Sequence, residues 1–533
     1  MSSALFLNEE KIFSSLFIFF IASILIYKCP VTKIVIFLMV IYNSPMDYSI
    51  ERADEKQKKC LSIMEASEFE KSKRPAFHLA SPCGWINDPN GFSFFNNKCH
   101  LFFQYHPYSN KWGPMHWGHA VTSDLLRWNF LEPALAPDSS FDRGGCFSGT
   151  AIEDGSFHII AYTSVIEGNA IQNQSIAIGD GKKYVKKNSN PAITAKNIPF
   201  DYDKAHFRDP KLWKENETYF LGAVLKTDDG SGAFVIFKSR DLEKWDFVSV
   251  ADRSLCELGM MWECPDFFSL DGTDVIIISP QEMKEDLELG FHDGNNSVVM
   301  TGTMDRSSWK FFRNNVSQID YGIDFYAPQT TLAPDGRRLM IAWMHRWEGF
   351  STPDDYLWSG MMTLPRELKI ENGVLFQSPA REIDALRKNG IAGDENLPPE
   401  KEIEIKGVKG RFFDLLLSFI VPQNCEWLEM KIAKGENCCS KFIFDFKNKR
   451  ISFDRSESGT RKDCESFREF RFEIPEDRKI NMRLICDISS AELFVCDGRY
   501  AFTNVFYSPI EADGITFAAS HEFRLEYEFY QLK

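Results

Sequence analysis

Three short segments each set a carboxylate beside an aromatic ring, a proline or both: HLASPCGWINDPNG at 78–91, FRDP at 207–210 and MWECPDFF at 261–268. Singly, each is weak. Asp88-Pro89-Asn90-Gly91 is a strong turn signal, because proline fixes φ and glycine tolerates positive φ. Asp209-Pro210 reads the same way. Glu263 is less ordinary, since it lies between Trp262 and Cys264. A carboxyl among apolar neighbours is costly to ionise, which makes a usable proton donor near neutral pH. Together the three fit one chemistry. Cleaving a glycosidic bond by a retaining route needs one carboxylate to attack the anomeric carbon. It also needs a second carboxyl, about 5–5.5 Å away, to protonate the leaving oxygen. A third can hold hydroxyls and stabilise an oxocarbenium-like transition state. Aromatic faces suit a sugar ring, and Asn, Gln and Arg suit its hydroxyls.

Such residues need a scaffold that brings distant segments to one place. From about Phe77 onward, short apolar or alternating runs recur between turn residues, as in HLFFQYH (100–106), SFHIIAYTSV (156–165), TYFLGAVLK (218–226) and RLMIAWMH (338–345). They are rich in Ile, Val, Phe and Tyr and too short for helices, so the reading is all-β. SDLLRW (123–128) is echoed by SRDLEKW (239–245) and more loosely by MDRSSW (304–309), with a weaker unit around Lys182 to Tyr184. A period of about 60 residues with several strands per unit predicts a propeller, with room for about five blades and a central cavity. Beyond a helical-looking SPAREIDALRK (378–388) and a polar break, alternation returns and fits a β-sandwich. The predicted organisation is therefore an apolar N-terminal segment over 1–45 and a charged linker over 46–74. A five-bladed β-propeller follows over 75–375, then a linker with a short helix over 376–400 and a C-terminal β-sandwich over 401–533.

The net charge of −15 over 533 residues leaves no excess of cations for phosphate backbones and argues against a nucleic-acid partner. Thirteen cysteines, with no CxxC pair, read as mostly reduced thiols, and the expected location is cytoplasmic. The apolar runs Ile12–Tyr27 and Ile34–Tyr42 leave three readings open: an anchor or uncleaved signal, two short interfacial helices, or upstream sequence ahead of a start at Met46 or Met64. Membrane association enters only through that segment.

The three carboxylate segments, in this order, resemble the invertases, sucrose-6-phosphate hydrolases, levanases and inulinases of glycoside hydrolase family 32. The resemblance covers about residues 75 to 530, and WINDPNG, RDP and WECPD are jointly very specific. It implies a five-bladed propeller followed by a β-sandwich. It also implies Asp88 as nucleophile, Asp209 as transition-state stabiliser and Glu263 as general acid/base. Further segments match: Asn87 beside the nucleophile, Gln104 in FFQYHP, Trp112 in KWGPMHWGH as a rim aromatic, and Phe147 and Ser148 in CFSGTA. Arg208 in FRDP, Tyr326 in DFYAPQ and Trp343 in IAWMHRW complete the implied substrate-binding set. The implied substrate is a small sugar: sucrose, sucrose-6-phosphate or a short fructan. No metal or organic cofactor is implied.

Other features are discounted. His116 and His119 lack a further ligand cluster. GDGKK (179–183) lacks the spacing of a phosphate loop. Cys264 lacks a base partner and reads as a packing or hydrogen-bonding neighbour that tunes Glu263. Competing functions are a fructan hydrolase, a non-catalytic carbohydrate-binding propeller and a membrane-anchored interaction propeller. Recognition of a phosphorylated sugar would call on Lys111, His345 or Arg346.

Overall fold

The computed structural model describes residues 48–533, apart from 167, 169–170, 350–351 and 461–463. The apolar N-terminal runs, and the choice among anchor, signal and upstream sequence, lie outside the described residues. Among the described residues no helix is long and apolar enough to cross a membrane.

Five antiparallel sheets follow one another along the chain, over residues 84–130, 145–186, 202–253, 261–318 and 326–379. Their innermost strands are Gly84–Phe95, Gly145–Asp154, Tyr202–Glu215, Met261–Leu270 and Tyr326–Leu332. Each neighbours the next, and the fifth neighbours the first, so the ring closes into a five-bladed propeller. Four of these strands are buried along most of their length, and the longer third is buried at its centre around Phe207–Pro210. The outermost strand of the fourth blade, Lys310–Gln318, is instead mostly exposed or half-buried. The chain of the fifth blade lends a short strand, Trp358–Ser359, to the sheet of the first, where it runs parallel to Gly84 and Trp85 and clasps the ring shut.

The sequence repeat is the turn between the third and fourth strands of a blade. In each of the first four blades an aspartate carboxylate accepts backbone N–H groups two and sometimes three residues on. Asp124 takes Leu126 and Arg127, Asp180 takes Lys182 and Lys183, Asp241 takes Glu243 and Lys244, and Asp305 takes Ser307. The fifth blade has no echo because its turn is built differently. Asn372 and Gly373, at φ 52° and 78°, make a tight two-residue hairpin instead.

The C-terminal part is a sandwich of a six-stranded and a five-stranded sheet around one core, which includes Phe413, Leu415, Phe442, Phe444, Leu484 and Phe517. Two expectations about connecting segments are corrected. The charged stretch 46–74 is not a solvated linker: Ile50–Ala66 is a helix, capped by Ser49, that buries Ala53, Gln57, Cys60 and Met64. The side-chain amide of Gln57 donates to the Leu131 carbonyl at the outer edge of the first blade. Four side chains three and four apart, Ala53, Gln57, Cys60 and Met64, suffice for a packed stripe even where most neighbours are charged. The stretch 376–400 is likewise not a linker. After a 3₁₀ turn, Arg381–Leu386, the polar segment Lys388–Leu397 is an edge strand of the sandwich paired with Phe523–Gln531. Its exposure explains its polarity.

Propeller and sandwich meet across buried charge. Arg366 of the fifth blade donates to Glu492 and Asp320, and His78 bridges Asp487 and Glu492. All five side chains are shut off from solvent.

Candidate active site

Every inner strand is irregular at the same depth. Its ladder register slips at Asn87–Asp88 in the first blade, Ser148 in the second, Asp209–Pro210 in the third, Cys264–Pro265 in the fourth and Ala327–Pro328 in the fifth. These are β-bulges, which re-aim side chains toward the channel. Pro89, Pro210, Pro265 and Pro328 sit at or beside four of them, where a missing N–H costs little in the ladder. Asp209, Cys264 and Ala327 take φ of 60°, 47° and 52°. Non-glycine residues hold such values only where the surrounding structure compels it. The Asp-Pro pairs are thus bulges inside strands rather than chain-reversing turns.

The three carboxylates converge there. Asp88 is buried. Its Oδ2 accepts from the Ser148 hydroxyl at 2.7 Å and the Cys264 thiol at 3.4 Å, while its Oδ1 has no hydrogen-bond partner. Burial, helped by the nearby Glu263 charge, pushes its pKa up, and bonds from Ser148, Asn87 and Cys264 pull the other way. Asp209 accepts the Cys264 backbone N–H at 2.9 Å, and its own N–H donates to Thr163. Its pKa is raised too, by burial first, with Arg208 opposing. Glu263 Oε1 receives Nε and Nη2 of Arg208 at 3.2 and 3.0 Å, and Oε2 receives the Tyr326 hydroxyl at 2.6 Å.

The surroundings of Glu263 therefore differ from the apolar setting expected. Trp262 is wholly buried in the packing between the third and fourth blades, its indole N–H on the Leu258 carbonyl. Cys264 turns to the two aspartates, not to Glu263. A bulged strand sends neighbouring side chains to different places, so chain neighbours do not define the environment.

The other expected site residues divide. Ser148, Arg208 and Tyr326 touch the carboxylates directly. Asn87 accepts the Trp85 indole N–H beside Asp88, and Gln104 donates to the Cys146 carbonyl on the next blade. Trp112 is 43% exposed and meets Phe147 edge-on at 6.2 Å, forming a rim. Trp343 is fully buried within a cluster of Trp85, Met115, Cys264, Tyr326 and Ala327 and supports the site from beneath. The half-buried aromatic is Trp347, 5.1 Å from the Trp343 ring, and it was not anticipated. Nor were Gln172 and His206, both bonded to Arg208 Nη1. Trp347 closes the IAWMHRW segment and His206 directly precedes FRDP, so both lie at motifs already in view, whereas Gln172 comes from a strand without a chemical signature of its own. The histidine pair separates: His119 bonds His100 at 3.0 Å, and His116 Nδ1 lies 3.3 Å from the Pro114 carbonyl.

A propeller with acidic side chains from three blades at one end of its channel is the architecture of a carboxylate-dependent glycosidase. Comparison with known proteins narrows this. Residues 78–379 match the glycosyl hydrolases family 32 N-terminal domain, and residues 382–531 match the family's C-terminal domain. The chain is 35% identical over 488 residues to a sucrose-6-phosphate hydrolase of Zymomonas mobilis, covering 86% of this chain and 90% of that protein. It is 32% identical over 466 residues to a raffinose invertase of Escherichia coli, covering 84% and 92%. A Bombyx mori β-fructofuranosidase structure superposes with a TM-score of 0.77 at 29% identity, covering 91% of this chain and 98% of that one. The chain belongs to glycoside hydrolase family 32.

Proposed function

We propose that the chain hydrolyses terminal β-D-fructofuranosides, with sucrose as the type substrate, by double displacement. Asp88 attacks the anomeric carbon of the fructosyl unit while Glu263 protonates the departing glycosidic oxygen. Water, deprotonated by Glu263, then breaks the fructosyl–Asp88 ester and releases fructose with retained configuration. Asp209 and Arg208 hold ring hydroxyls as charge develops. The observation that carries this reading is the unpaired, buried Oδ1 of Asp88, beside an Oδ2 anchored by Ser148 and Cys264. One oxygen is held and the other is free to form a bond.

A phosphorylated disaccharide is the second reading, favoured by the names of several relatives. The side chains argue the other way. Arg346 is paired with Glu348 and Glu465, and His345 is buried, which leaves Lys111 as the exposed cation beside the rim. Fructose release from sucrose, sucrose-6-phosphate, inulin and levan, measured in parallel, tests both readings. Faster release from sucrose supports the first. A strong preference for the phosphorylated sugar would replace it with the second. Activity on polymers alone would move the chain to fructan hydrolysis, and no release at all would leave a carbohydrate-binding propeller.

A further inference from the structure

Arg208 is the only cation in direct contact with the carboxylate cluster among the described residues, and its orientation is set by acceptors on two edges. On one edge stands Glu263. On the other, Nη1 meets Gln172 Oε1 at 3.3 Å and His206 Nδ1 at 3.0 Å. Gln172 is itself held, since the same oxygen accepts the Phe207 N–H at 3.1 Å.

A guanidinium has donors only. The 3.0 Å approach therefore requires His206 Nδ1 to be the acceptor, without a proton, and puts the ring proton on Nε2. The surroundings suit that tautomer. Nε2 faces the Asp203 carboxylate at 3.8 Å, and Asp203 is anchored by the Ala205 N–H. The charged groups facing the ring are Asp203 and Arg208 on its own strand, Lys226 on the neighbouring strand and Glu263 from the fourth blade. Burial, Arg208 and Lys226 disfavour a second proton, and Asp203 and Glu263 favour it. The ring is about one-third exposed, 34% by side chain, so solvent protons reach it.

We propose that His206 is the positioning residue for Arg208: neutral, it holds the guanidinium where it grips the fructosyl unit, and protonated, it releases that grip. A proton on Nδ1 sets one N–H against another, removes an acceptor from the outer edge of Arg208 and adds a like charge. The guanidinium then keeps Glu263, Gln172 and the 3.9 Å ion pair with Asp209, none of which holds its outer edge as His206 does. This rests on the reading that Arg208 binds fructosyl hydroxyls, and it makes acid weaken substrate binding before it slows chemistry.

The test is KM and kcat for sucrose between pH 4.5 and 7.5 in the wild type, His206→Asn and His206→Ala. Asparagine places an amide oxygen where Nδ1 stands and does not titrate. In the wild type KM should climb as pH falls while kcat changes less. His206→Ala should raise KM about tenfold at pH 7, the effect of losing one bond to a charged group. His206→Asn should restore KM and flatten its acid rise. An unchanged KM in His206→Ala, an acid rise that survives in His206→Asn, or a loss confined to kcat would overturn the proposal. Calorimetric titration with fructose reads the same grip without turnover. Binding that depends on residue 206, in a protein that cleaves nothing, would keep the positioning role and sink the proposed reaction.

Discussion

Asp88 and Glu263 differ in what holds them, and the difference assigns their work. Replacing Asp88 with alanine should lower sucrose turnover by more than about a thousandfold with the fold intact, as for other members of a catalytic constellation. Substantial residual turnover would remove the nucleophile role. Glu263→Gln should slow sucrose by about a hundredfold or more and an activated aryl fructoside far less, since only the poor leaving group needs the proton. Equal losses on both would argue against acid catalysis. Ser148 offers a pH test. Its hydroxyl stabilises the Asp88 carboxylate, so Ser148→Ala should let the pKa of Asp88 rise further. A hydrogen bond to a charged group is worth about 1.5–3 kcal/mol. The acid limb of kcat, measured at saturating sucrose so that binding does not enter, should therefore move up by about one to two pH units. A limb that stays put would mean another group controls it.

At the scale of elements, the bulged inner strand is the working part. Five bulges at one depth turn residues that would alternate across a strand toward a common channel mouth. The helix Ile50–Ala66 matters for a different reason. It covers the outer edge of the first blade, the blade that carries Asp88, and ties down Leu131 through Gln57. A chain beginning at Met64 lacks most of it. Compared with one beginning at Met46, it should lose about 2–4 kcal/mol, the burial of several small side chains and one hydrogen bond. Thermal unfolding of the two would show this as a lower midpoint, and equal midpoints would mean that the helix adds nothing to stability.

The molecule as a whole is held together at a charged seam. Glu492 accepts from Arg366, His78 and the Leu364 N–H, so Glu492→Ala takes one of two carboxylate partners from each of two buried cations and should cost about 3 kcal/mol. His78 links the seam to pH. Burial opposes its charge, but Asp487 and Glu492 outweigh burial and raise its pKa to about 9. Its contribution is complete below the unfolded value near 6.5 and is lost as pH rises through 9, about 3 kcal/mol in all. His100 and His158, buried between the first two blades, run the opposite way. Burial lowers them to about 4 and about 3. Their contribution is complete above pH 6.5 and declines as pH falls below it. Thermal midpoints measured across pH should peak near 6.5 and fall on both sides. A midpoint that kept rising toward pH 9 would contradict the charged state of His78.

Much of this was legible in the residues alone. The three acidic segments, the near-60-residue repeat and the alternation beyond residue 400 are local patterns, and local chemistry writes them: a turn needs its aspartate, and a half-buried strand needs its alternation. The stretches 46–74 and 376–400 look like linkers in sequence for the same reason. Whether a charged helix or a polar edge strand is packed depends on what lies beside it, as Gln57 on Leu131 and Lys388–Leu397 on Phe523–Gln531 illustrate. Direction was the other missing quantity. That Cys264 serves Asp88 and Asp209, that Trp343 lies beneath the site while Trp347 borders it, and that Gln172 and His206 frame Arg208 follow from five bulges and a closed ring. Those contacts join residues tens of positions apart, and a one-dimensional pattern carries no term for them. Residue types and spacing were enough to choose the chemistry; the assignment of each side chain to a partner came only with the closure of the propeller.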